Sequence, residues 1–220
     1  MSLVRFSPLS PSRLSLSVAA VFAGVPAGLL VGAGVAHANP VAPVVVSGGA
    51  GFATQGKVLT VTNTPGAIIN WQSFSIGAGE TTKFVQQNAA STVLNRVRGQ
   101  DPSVILGTLS SNGRVFLINA NGVVFGAGSR VDTQGLIAST LNISDADFRN
   151  GILKFQKEGQ AGSVRVDGYV NGGTGDVYII APNVAVGKEG VIRSEGGKVV
   201  LAAGEKVEIG ARNLNDIKFE

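Results

Sequence analysis

One short pattern recurs along this 220-residue chain: a glycine, a polar residue, then a run of β-forming apolar residues. Gly56-Lys57-Val58-Leu59-Thr60-Val61 opens the first copy and Gly113-Arg114-Val115-Phe116-Leu117-Ile118 the second. Gly175-Asp176-Val177-Tyr178-Ile179-Ile180 and Gly197-Lys198-Val199-Val200-Leu201-Ala202 are the third and fourth. Second short runs follow three of them, at Val123-Val124-Phe125-Gly126, Val184-Ala185-Val186-Gly187 and Val207-Glu208-Ile209-Gly210. The last two copies begin 22 residues apart, at 175 and 197, and the 62-residue step from 113 to 175 is close to three such periods.

A period of this size, made of short strands and turns, is the mark of a solenoid. A single coil cannot bury its apolar row, but stacked coils form a continuous core with hydrogen bonds along the axis. Runs such as Val115-Phe116-Leu117-Ile118 are too short for helices and rich in β-formers. The 31 glycines, about twice ordinary usage, suit the corners between strands. A β-sandwich also has many strands with regular turns, but it does not need self-similar copies.

Two regions break the period. In Ser144-Asp145-Ala146-Asp147-Phe148-Arg149-Asn150-Gly151, Ser144 can N-cap, Asp147 follows it by three residues, and Gly151 can close the C-terminus. A short helical turn is expected there, in an excursion from the stack. The strand-like runs at 82–86 and 91–97 are expected to form an extra hairpin outside it. Residues 39–52, with Pro40, Pro43 and Gly48-Gly49-Ala50-Gly51, are expected to cap the first coil, whose strand edges would otherwise be bare.

The N-terminal segment sets the compartment. Arg5 and Arg13 with no acidic residue, an apolar stretch from Leu14 to Val35, and Ala36-His37-Ala38 before Asn39 read as a signal peptide over 1–38. Cleavage is expected between Ala38 and Asn39, leaving no stable membrane insertion. An uncleaved anchor is the other reading, against which Gly, Pro26 and the cleavage site argue. Residues 39–220 then form one domain.

Removing the segment leaves 16 basic residues, 18 less Arg5 and Arg13, against 14 acidic ones, a balance that gives no nucleic-acid footprint. His37, the one histidine, leaves with it, and the chain has no cysteine. The mature chain therefore has no usual zinc or copper ligand set and no Ser-His or Cys-His pair. No cofactor and no metal are expected.

Several ordered pieces now stand out: Lys83-Phe84-Val85-Gln86, Val93-Leu94-Asn95-Arg96-Val97, Ile105-Leu106-Gly107, Ser111-Asn112-Gly113 and Val115 through Gly126. Together they resemble the N-terminal secretion domain of filamentous haemagglutinin-like TpsA exoproteins, the TPS domain of two-partner secretion. The resemblance is densest over 76–155 and extends weakly over 39–204. It implies an all-β fold, a right-handed parallel β-helix with an N-terminal β-cap and extra-helical strands. It also implies export to the periplasm and binding there by the periplasmic domains of a TpsB outer-membrane pore. The chain would cross unfolded and fold at the bacterial cell surface. A host receptor or glycan would be met through a passenger that these 220 residues do not contain.

The family's Asn-Pro-Asn-Gly stands here as Asn119-Ala120-Asn121-Gly122, so the turn lacks the preset φ of proline. Asn119, Asn121 and Gly122 are candidates for the secretion motif, by corner chemistry or by transporter contact. Asn95 and Arg96, a polar pair in an apolar strand, are expected on an exposed face that could meet a partner. Asp145 and Asp147 are explained by a helix start, and Asp132, Asp167 and Asp176 by corners. A stand-alone β-helical adhesin is the alternative function. A polysaccharide-active β-helix enzyme would need carboxylates gathered on one face, and these are scattered.

Overall fold

The computed structural model describes residues 39–210 and 217–219. Residues 1–38, the expected signal peptide with Ala36 and Ala38 of its expected cleavage site, lie outside the described residues.

The chain winds as a parallel β-solenoid. One face is a seven-stranded sheet of β1 (Val44–Ser47), β4 (Ala67–Trp71), β6 (Thr92–Val97), β9 (Arg114–Ile118), β12 (Leu136–Ser139), β17 (Val177–Ala181) and β20 (Val199–Ala203), in that order. A second seven-stranded face holds β2 (Ala50–Gln55), β3 (Val58–Asn63), β5 (Thr81–Val85), β8 (Thr108–Ser111), β11 (Arg130–Asp132), β16 (Tyr169–Asn171) and β19 (Val191–Arg193). A shorter third face stacks β7 (Ser103–Ile105), β10 (Val123–Phe125), β15 (Val164–Val166) and β18 (Val184–Val186). Coil-to-coil pairings are parallel and in register, as in Val93↔Val115, Val115↔Leu136 and Val177↔Val199.

The expected N-terminal cap is formed by antiparallel strands, β1 on β4 and β2 on β3. The Asn39 amide is buried in it, donating to the Lys57 carbonyl and accepting from the Thr82 hydroxyl. Phe52 meets Trp71 edge to face at 5.6 Å, starting an aromatic series through Phe74 and Phe84 that closes this end of the lumen.

The break after Ser139 is an excursion. Its strands β13 (Asn142–Ile143) and β14 (Leu153–Gln156) flank helix α1 (Asp145–Arg149), and β21 (Lys206–Ile209) and β22 (Ile217–Phe219) complete a separate antiparallel sheet. Ser144 caps α1 as its sequence predicts, accepting from the Asp147 N–H at 3.0 Å.

Period 2 along each strand yields two cores. Residues such as Ile69, Val93, Val97, Leu117, Ala138 and Ile179 point into the lumen. Their neighbours Ile68, Leu94, Phe116, Ile137 and Ile180 point outward and are buried under Leu141, Ile143, Phe148 and Phe155 of the excursion and Val207 of β21. Phe148 stands edge to face on Phe116 at 5.0 Å, and burial of such a ring is worth about 2–3 kcal/mol.

Four expectations are corrected. The runs around 82–86 and 91–97 are no extra hairpin: they are β5 and β6, regular rungs of two faces, because Phe84, Val93 and Val97 alternate into the lumen. The first Gly-x-Val copy, β3, lies on the second face while the other three start β9, β17 and β20 on the first, since the pattern marks any corner that enters a strand. The 62-residue step is two coils rather than three: Val115 pairs with Leu136, and Leu136 with Val177, 41 positions on, with the excursion between them. The fourth copy's continuation, β21, likewise leaves the stack for the excursion sheet.

Candidate functional site: the Asn119–Gly122 corner and the Asn95–Arg96 strand

The corner between β9 and β10 is a hydrogen-bonded clasp onto the preceding coil. Asn119 is wholly buried, and its Nδ2 donates to the Asp101 carbonyl and the Ser103 hydroxyl, each at 3.0 Å. Its Oδ1 accepts from the backbone N–H and the side-chain Nδ2 of Asn121 at 3.0 and 3.1 Å. The same Nδ2 of Asn121 also donates to the Gly99 carbonyl at 2.8 Å. The two asparagines flanking Ala120 thus fasten residues 99–103 of the coil before them, using side chains that local turns favour.

Gly122 is required here. Its φ of +125° suits glycine, and a Cβ would lie 3.3 Å from the Ser163 carbonyl of the next coil. Ala120 and Asn121 are exposed, whereas Asn119 and Gly122 are buried. The turn persists without proline because the Gly122 N–H donates to the Asn119 carbonyl and the Gly162 N–H to that of Ala120.

Asn95 and Arg96 are both buried, so the expectation that they lie on an exposed face is overturned. As neighbours on a strand they point to opposite sides. Asn95 faces the lumen, where its Oδ1 accepts from the Trp71 indole at 2.9 Å and its Nδ2 donates to the Phe116 carbonyl at 3.2 Å. Arg96 faces the excursion: Nε donates to Asn142 Oδ1 at 3.0 Å, and Nη2 to the Ile143 carbonyl at 2.7 Å and to Asp145 at 2.8 Å. It pins the start of the excursion and neutralises the first residue of α1.

A second clasp was not singled out from the sequence. Asn112 pairs with the Gln86 backbone, accepting from its N–H at 2.7 Å and donating to its carbonyl at 2.8 Å, so the amide imitates a β-ladder partner across a corner. The Gln86 side chain reaches on to the Ser111 hydroxyl and the Arg114 carbonyl. The signal available was the recurrence of polar amides near coil corners.

The carboxylates stand apart, each with a local partner. Asp132 meets Arg130 and Asn171, Asp167 meets Arg165, and Asp176 accepts from the Tyr178 hydroxyl at 2.9 Å and the Lys198 N–H at 2.8 Å. Burial, the bond to Asp176 and its charge together hold the Tyr178 phenol above its ordinary value, and Arg114 pulls weakly the other way. Among the described residues no three His, Cys, Asp or Glu side chains come together.

The family model of the TPS secretion domain matches residues 36–217. This chain belongs to that family. The TPS domain spans nearly all of it, and both the clasped corner and the excursion fall within the match. The chain is 35% identical to the crystallised HMW1 secretion domain from Haemophilus influenzae, with a TM-score of 0.75, over 78% of this chain and 46% of that one. It is 34% identical to a heme/hemopexin-binding protein of Haemophilus influenzae strain Rd over 168 residues, 73% of this chain. A second Haemophilus influenzae protein of that name is 36% identical over 91 residues. The matches span 18% and 10% of those two relatives. TPS exoproteins are secreted, and this chain is a TPS domain of a two-partner secretion exoprotein.

Proposed function

We propose that this TPS domain is the export address and folding nucleus of its exoprotein. Residues 1–38 direct it to the periplasm and are removed between Ala38 and Asn39. The periplasmic domains of a TpsB pore then bind the mature chain, which crosses the outer membrane and folds at the cell surface.

The observation that carries this reading is that the corner clasps join each coil to its immediate neighbour. Asn119 and Asn121 bond residues 99–103, and Asn112 bonds Gln86, so a coil can be fastened once the one before it is in place. A stack closed in chain order suits a polypeptide that emerges from one end. The absence of cysteine fits passage without disulfide locking. Asn119 and Gly122 serve the motif through the fold, whereas Ala120 and Asn121 are the part a transporter can touch. Arg96 and Asn95 act by holding structure. The ligand in the relatives' name forms no part of the proposal, because the chain spans less than a fifth of either.

Co-expression with the candidate pore, with the released chain quantified in the medium, tests the proposal. Release should depend on the pore, and the N-terminal residue of the released chain should be Asn39. Equal release without the pore would refute it.

A further inference from the structure

The second face ends at β2, which among the described residues pairs only with β3. The Thr64 N–H donates to the Gly49 carbonyl, which fixes 49, 51, 53 and 55 as the residues bonded to β3. By the alternation of an antiparallel pair, Ala50, Phe52 and Thr54 turn their N–H and C=O groups to the free side. Natural edges are usually blunted by charge, proline or a bulge. The other cap strand follows that rule, with Pro43 just before β1 and a register shift between Val45 and Ser47. β2 carries none of these: Ala50-Gly51-Phe52-Ala53-Thr54-Gln55 is regular, all but Ala50 are exposed, and no charged residue occurs from 39 to 56.

We propose that β2 is a self-association edge, on which a second copy of this chain adds its own β2 antiparallel about a twofold axis at Phe52. In that register Ala50 faces Thr54 of the other copy, Phe52 faces Phe52, and Thr54 faces Ala50. Every free edge group of one strand meets one of the other, and the two seven-stranded faces become one continuous sheet. The uncharged strand suits a second copy. A twofold pairing sets each residue against another of the same strand, so any charge would face a charge of its own sign or need its opposite nearby, and this strand has none. The phenylalanine rings become a cross-strand pair on the side where each already packs on Trp71.

Sedimentation velocity on the full chain purified from an exporting host tests the proposal. A concentration-dependent monomer–dimer equilibrium is expected. Thr54→Lys should weaken it at least tenfold without shifting the thermal midpoint, and Phe52→Leu should keep it. Because the chain has no cysteine, Phe52→Cys supplies a single thiol that should cross-link two copies under mild oxidation. A monomer at every concentration would overturn the proposal, even if an added strand peptide binds β2. So would a dimer that Thr54→Lys leaves intact or that Phe52→Cys cannot cross-link.

Discussion

Trp71 and Asn95 meet inside the lumen, the indole N–H donating to Oδ1 at 2.9 Å amid side chains that are otherwise apolar. Each satisfies the other, and Asn95 also donates to the Phe116 carbonyl one coil further on. Removing the amide leaves the buried indole N–H unpaired, whereas the Phe116 carbonyl keeps its place in the ladder between β6 and β9. Asn95→Leu should therefore cost about 1–3 kcal/mol, the penalty for one stranded buried group. Trp71→Phe combined with Asn95→Leu should recover part of that loss. Urea midpoints, followed through the one tryptophan where it is retained and by circular dichroism in the double variant, give the comparison.

Arg96 ties the excursion to the stack through Asn142, Ile143 and Asp145. Arg96→Met should destabilise by about 2–3 kcal/mol, as expected for hydrogen bonds to a charged group. The loss should be local. Amide exchange should accelerate over residues 141–156 while β9 and β12 stay protected, and equal acceleration in those strands would contradict the assignment.

At the Asn119 corner, the buried and exposed asparagines should separate. Asn119→Ala removes the donor to the Asp101 carbonyl and the acceptor of the Asn121 backbone N–H and should cost about 2 kcal/mol. Asn121→Ala should cost about 1 kcal/mol, the usual worth of one net hydrogen bond. Ala120→Pro should gain about 0.5 kcal/mol by restricting the unfolded chain. Thermal melts rank the three. Pore-dependent release measured on the same variants shows whether export follows stability or the exposed Asn121 itself.

Tyr178 gives a pH signature. Its phenol is held above the ordinary 10.0, so the folded state binds that proton more tightly than the unfolded state does. Its contribution is fully present below pH 10 and is lost as pH rises from there toward the folded value. Tyrosinate absorbance should show the Tyr178 phenol ionising only well above pH 10 or on unfolding. Tyr178→Phe should remove that part of the alkaline slope.

The coils were legible because glycine corners and apolar runs are local, and the helix start at Ser144 because a capping box spans four residues. The face on which a strand lies was not. Gly-x-Val opens a strand from any corner, so β3 and β9 look alike although they belong to different sheets. Asn95 and Arg96 were misread for a related reason. One partner, Trp71, lies 24 residues earlier, about a coil away, while Asp145 lies 49 residues later across an inserted segment whose length the period does not set. A search for polar partners one coil apart would have found the first pair and missed the second.

The in-register stacking has a mechanical corollary. Load applied along the chain reaches the hydrogen bonds between coils one rung at a time, so the solenoid should unzip coil by coil instead of rupturing as a block. A coil such as 177 to 199 frees 22 residues, about 75 Å of contour at extended-chain spacing. The step from 136 to 177 carries the excursion and frees 41, about 140 Å. Extension traces should therefore show regular short peaks interrupted by one long one, held to higher force by the Arg96 tether.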